Sequence, residues 1–198
     1  MFSKFLKYAV LIPALVGYLS VNALAAETYI IDTSHSSIGF AVKHLGVATT
    51  KGEFTDYTGT IVYDPEDPSA FNAEALVESA SINTRNDQRD GHLRSADFFD
   101  VENYPAITFK SGQLRHEDYG YVLDGDLTIK EVTKPISIPV VILGPITGPK
   151  GGDVIGLAGE TVINRQDFGV SWSKQMDNGG LVVSDEVTIT VDIEAHKK

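Results

Sequence analysis

VTITVDIE, residues 187–194, alternates without a break: Val187, Ile189, Val191 and Ile193 fall on one side of an extended chain, Thr188, Thr190, Asp192 and Glu194 on the other. Wound into a helix, the same residues would scatter their apolar groups around the circumference. As a strand they make one face to bury and one to wet. Working outward, Ser37–His44 repeats the pattern, with Ile38, Phe40, Val42 and His44 opposite Ser37, Gly39, Ala41 and Lys43. Residues 71–82 set Phe71, Ala73, Ala75 and Val77 against Asn72, Glu74, Leu76 and Glu78. Residues 119–129 align Tyr121, Leu123, Gly125, Leu127 and Ile129, and residues 135–143 align Ile136, Ile138, Val140 and Ile142. Further strands read over residues 49–63, 106–110 and 154–163, giving about eight in all. Asp64-Pro65-Glu66-Asp67-Pro68, Lys130-Glu131-Val132-Thr133 and the Gly/Pro-rich stretch 144–152 supply turns. Pro139, in mid-run, implies an edge-like position or a bulge. The fold class is antiparallel all-β. A closed eight-stranded barrel and a two-sheet sandwich both satisfy the periodicity.

RDGHLRSADFFDVENYP, residues 89–105, breaks that rhythm. Leu93, Ala96, Phe98 and Phe99 approach helical spacing, Asp87 or Asp90 is available as a cap, and Pro105 returns the chain to extended geometry. We expect a short helical or irregular segment around residues 87–100. It either closes what the strands enclose or serves as a packed connection whose charges pair locally.

Residues 1–25 read as a signal peptide: Lys4 and Lys7 without an acid, an apolar run, then Ala23-Leu24-Ala25 in the small-x-small form of a cleavage site. The apolar run is short for a membrane span, so no stable membrane insertion is expected. Residues 26–198 read as a single domain. Removing the leader's two lysines moves the formal charge from −11 to −13, and no basic run interrupts it, which argues against nucleic acid as a partner. The absence of cysteine excludes disulfides, thiolate metal sites and thiol chemistry, so the fold is held by burial.

Motifs for catalysis are missing. There is no serine elbow, and the five histidines (His35, His44, His92, His116, His196) show no HxH or HxxxH spacing. His44 and His92 would have to meet in space, with Asp90 or Asp97 orienting one of them, to move a proton. The acids Asp64, Glu66 and Asp67 lack the glycine and terminal glutamate of a calcium loop and read as a solvated turn. No metal and no cofactor is expected. Trp172, the single tryptophan, either lines a barrel mouth or closes the core.

Several stretches together resemble the YceI-like family of exported lipocalin-like proteins (UPF0312 type). They are Tyr29-Ile30-Ile31-Asp32 with His35-Ser36; Phe40 to Gly46 (FAVKHLG); Arg89 to Asp100 (RDGHLRSADFFD); Tyr104 to Phe109 (YPAITF); Gly125-Asp126-Leu127-Thr128-Ile129 with Thr133-Lys134-Pro135; and Asn164 to Gly169 (NRQDFG). Glu131 departs from the family, whose turn usually has glycine there, and leaves the turn type open. The resemblance implies an extended eight-stranded lipocalin-like barrel whose hydrophobic lumen takes a polyisoprenoid lipid or the tail of an isoprenoid quinone. It implies no enzymatic role, a periplasmic location, and leaves room for a homodimer. On that footing the ligand-binding residues are Phe40, Val42, His44, His92, Phe98, Phe99, Phe109, Leu127, Ile129 and Trp172. The alternatives are a protein-interaction module of the cell envelope and an enzyme acting on a lipid or quinone headgroup through His44 or His92.

Overall fold

The computed structural model describes residues 26–198 apart from Tyr119, Lys150 and Asn178. The expected signal peptide lies outside the described residues. Eleven strands join one antiparallel sheet: β1 (Glu27–Ile31), β2 (Ser37–His44), β3 (Ala48–Phe54), β4 (Tyr57–Tyr63), β5 (Asn72–Glu78), β6 (Ile82–Asn83), β7 (Ala106–Glu117), β8 (Gly120–Ile129), β9 (Val132–Thr147), β10 (Asp153–Asn164) and β11 (Val183–Lys197). Three pairs are interrupted staves. β1 continues as β2 after a turn at residues 32–36, β3 as β4 across Thr55 and Asp56, and β5 as β6 across Ser79–Ser81. The wall therefore has eight staves in meander order, each hydrogen-bonded to the next. The seam is closed by β1, where Tyr29 stands opposite Ile61 of β4 and Lys197 of β11. Closure leaves most of the sheet without the unpaired edges that invite aggregation.

The barrel replaces the sandwich alternative, and all eight stretches that alternate in the sequence become staves. Pro139 finds an edge-like place inside a paired strand. Residues 132–140 of β9 ladder with β8, whereas pairing with β10 starts only at Val140. Proline's missing N–H costs nothing at that corner, and the Thr161 hydroxyl donates to the Ser137 carbonyl at 2.9 Å where the ladder has stopped. The Lys130-Glu131 turn joins β8 to β9 with φ of 51° and 62°, a two-residue loop of primed type built without glycine. The acidic turn departs from the solvated turn expected from the sequence. Asp64 is buried, because its carboxylate turns back to accept the Glu66 N–H at 2.8 Å.

Inward-pointing residues form two clusters. One gathers Tyr29, Phe71, Leu123, Val140, Leu157 and Ile193, and the other Tyr57, Phe98, Leu127, Ile129, Ile163 and Phe168. Ile31, Ile38, Phe109 and Ile136 pack against both and mark the middle of the bore.

Between β6 and β7 the chain leaves the wall as helix α1 (Asp87–Arg94), followed by irregular turns to Tyr104. The cap is Asn86 rather than either aspartate: its side chain accepts the Arg89 N–H at 2.9 Å. Asp90 is buried and turns back to accept the N–H and hydroxyl of Thr84. Arg89 donates to the Thr84 hydroxyl and carbonyl at 2.8 and 2.9 Å, and Arg94 to the carbonyls of Ala80 and Ile82, each at 2.7 Å. The charges of this segment thus bolt the helix to the backbone around β6.

Candidate functional site

The staves enclose a cavity of about 230 Å³ with an almost wholly apolar wall. Its origin is visible in the pattern of burial. Inward residues near the clusters, such as Leu123 and Ile129, are buried, but Ile38, Phe40, Val42, Phe54, Phe109, Val187, Ile189 and Val191 point inward and remain half-buried. Their uncovered area faces the hollow. Two phenylalanines lie along the wall instead of across the bore because glycines sit beneath them. A methyl built on Gly125 would stand 2.5 Å from the Phe109 ring, and one on Gly52 would collide with the Phe40 ring. The missing side chains keep the lumen open.

One end is shut by the α1 segment. Leu93, Phe98 and Phe99 reach the cavity wall, and a train of rings continues from it: Phe99 edge-on to Phe54 at 5.9 Å, then Phe54 to Phe40 at 6.0 Å. Above Phe98, Trp172 packs at 5.3 Å and His92 edge-on at 5.0 Å. His92 also hydrogen-bonds Asp97 at 2.8 Å on the exposed side of this plug.

Arg165, buried at the same end, ties the loop carrying Trp172 to β11. Its guanidinium donates to the carbonyls of Val170 (2.6 Å), Trp172 (2.8 Å) and Ser184 (2.9 Å) and to the Asp185 carboxylate (2.9 Å). Burial lowers its pKa and Asp185 opposes that change; an arginine starts so high that the charge persists. The phenols of Tyr29, Tyr57 and Tyr63 are pushed up, chiefly by burial.

Of the residues singled out in the sequence, Phe40, Val42, Phe98, Phe99, Phe109, Leu127 and Ile129 lie on the cavity wall. Three do not. His44 ends β2 opposite Val183 and Ala48, while His92 and Trp172 stack behind Phe98. Wall residues that the sequence reading left out include Ile31, Leu93, Ile107, Ile163 and Arg165. Parity along β7 would have supplied Ile107 once Phe109 was placed inside. Arg165 carried no such signal, since an isolated arginine in a turn looks solvated.

Fold and site together define a class: an up-and-down antiparallel barrel with a plugged end and a hollow apolar interior. Within that class the chain belongs to the YceI-like family, whose domain model matches residues 29–195. A UPF0312 protein of Vibrio cholerae serotype O1 is 37% identical over 169 residues, covering 83% of this chain and 89% of the relative. The crystal structure of the Campylobacter jejuni YCEI protein superposes with a TM-score of 0.67 at 32% identity, over 79% of this chain and 90% of that one. A polyisoprenoid binding domain from Saccharophagus degradans, implicated in plant cell wall breakdown, shares the fold with a TM-score of 0.63 at 16% identity, over 87% and 99% of the two chains. Among the described residues, no helix is long and apolar enough to cross a membrane.

Proposed function

We propose that this protein holds a polyisoprenoid, or a related long-chain amphiphile such as an isoprenoid quinone, in the barrel lumen, and carries or stores it in the periplasm. The observation that supports this most is the belt of half-buried apolar side chains turned toward an internal hollow. A filled core would cover them; an empty lumen leaves their contacts unmade. From Ile129 to Leu123 the wall runs six residues along β8, up to about 20 Å of extended strand at roughly 3.4 Å per residue. A hydrocarbon tail needs no hydrogen bonds, and at about 0.8 kcal/mol per buried CH₂ ten carbons contribute on the order of 8 kcal/mol before ordering costs. The name of the Saccharophagus domain points to the same ligand class. The leader expected over residues 1–25 supports export, and the family resemblance supports the periplasm.

This reading is one of holding rather than turnover, because the His92–Asp97 pair lies on the outer side of the plug, separated from the wall by Phe98. Trp172 provides the test, being the single tryptophan and packed on Phe98. Titration with geranylgeraniol or ubiquinone is expected to change its fluorescence saturably, at one ligand per chain. A signal that never saturates, matching free tryptophan in the same solvent, would count against a lumen site.

A further inference from the structure

Where β1 gives out, the outer surface of the barrel brings together groups from the two ends of the chain. Ile31 and Ile193 point inward, so Asp32 and Glu194 point outward, and His196 shares the parity of Glu194. The turn after Asp32 adds His35. The Nδ1 atom of His35 lies 2.9 Å from Asp32 Oδ2 and 3.7 Å from Glu194 Oε1; Nε2 of His196 lies 3.5 Å from Asp32 Oδ2 and 2.9 Å from Glu194 Oε1. Two imidazole nitrogens and two carboxylate oxygens thus alternate around a closed ring.

Hydrogen bonding alone uses this ring poorly. The His196 Nε2 has at most one proton yet faces two carboxylates, while the His35 Nδ1 meets the Ser34 hydroxyl at 3.2 Å as well as Asp32. The backbone fixes the arrangement: the Asp32 N–H donates to the Glu194 carbonyl at 2.9 Å, and the Ser36 hydroxyl accepts the Glu194 N–H at 2.9 Å. The Ser34 N–H and hydroxyl hold Asp32 Oδ1, leaving Oδ2 toward the histidines.

We propose that Asp32, Glu194 and His196, with His35 beside them on the turn, form a site for a zinc-type divalent transition-metal ion. Ligands at the usual 2.0–2.1 Å from tetrahedral zinc are about 3.3 Å apart, and the His196 nitrogen stands 3.5 and 2.9 Å from the two carboxylate oxygens, on either side of that value. Asp32, Glu194 and His196 present ligand atoms all within 4.8 Å of one another. Two carboxylates balance a double positive charge, and an imidazole nitrogen donor favours zinc over calcium or magnesium. Because the ligands come from the first turn and the last strand, the ion would staple the seam that closes the barrel.

The test is a zinc titration of the protein, purified without an affinity tag, against a chromophoric chelator, with thermal unfolding in parallel. We expect one zinc per chain and a zinc-dependent rise in Tm. A His35→Ala/His196→Ala double variant should bind zinc on the order of 100-fold more weakly or worse, with its metal-free Tm and geranylgeraniol uptake unchanged. Glu194→Gln, which keeps the side chain's size, should also lose the zinc-dependent rise. Calcium should have no effect on either readout. Zinc binding no tighter than in the double variant, or a Tm rise that survives both substitutions, would overturn the proposal.

Discussion

Ala75→Leu places three extra carbons on the inner face of β5, opposite Phe109 of β7 and on the cavity wall. If the hollow of about 230 Å³ is an apolar void, keeping it empty costs on the order of 5 kcal/mol at roughly 24 cal/mol per Å³. Filling part of it should recover some of that. Three carbons at about 0.8 kcal/mol each, less about 0.5–1 kcal/mol of leucine rotamer entropy, leave roughly 1.5–2 kcal/mol of stabilisation. For a chain of this size that raises Tm by about 3–8 °C. The same carbons take the space of the ligand, so affinity for geranylgeraniol should fall at least about 10-fold, equivalent to about 1.4 kcal/mol. Opposite signs for stability and binding are the signature. Leu76→Ala, on the exposed face of the same strand, controls for the substitution itself and should change stability by no more than about 0.5 kcal/mol. Calorimetry on the ligand-free protein and a Trp172 fluorescence titration supply the two numbers. A destabilised Ala75→Leu that binds with full affinity would refute the idea that β5 faces an open lumen.

Gly125→Val should drive the Phe109 ring off the wall and into the bore. We expect a stability loss of about 1–3 kcal/mol from overpacking, with weaker lipid uptake in the same titration. Glu131→Gly relieves a positive φ at a residue with a side chain and should stabilise the protein by about 0.5–1 kcal/mol, measured by urea unfolding, without altering binding. The buried phenols of Tyr29, Tyr57 and Tyr63 have raised pKa values. They stay protonated in the folded chain at pH values where the unfolded chain ionises them. Their contribution is therefore complete below about pH 10, the ordinary tyrosine value, and is lost as pH climbs toward the folded values. Ultraviolet titration should show these three ionising together with alkaline unfolding, and a smooth titration of every tyrosine in a still-folded barrel would contradict their burial.

The alternation in residues 187–194 and its counterparts located every stave because a half-buried strand writes its two faces directly into the sequence. Where the signal failed, the cause was local. β1, which completes the barrel, has only five residues, too short for alternation to stand out, and the sequence showed it only as part of a motif. The acids and arginines of residues 89–94 announced an unusual segment but not its partners, since Ala80, Ile82 and Thr84 meet them largely through backbone groups that carry no sequence mark. Whether an inward face lines a void or a packed core depends on how the staves are sheared and how far apart they stand. Phe109 over Gly125 is such a case: each residue is visible in its own strand, but their superposition is a matter of register. The same holds for Asp32 and His196, whose approach is invisible until β1 pairs with β11.

The central claim, that the lumen carries a long hydrophobic chain, is tested most directly by native mass spectrometry of the protein isolated from the envelope of its own cells, with organic extraction of whatever accompanies it. The account predicts a one-to-one apolar adduct, with masses in the extract spaced by isoprene units and the adduct depleted in Ala75→Leu. Protein that emerges bare, and stays bare after incubation with geranylgeraniol and ubiquinone, would contradict it.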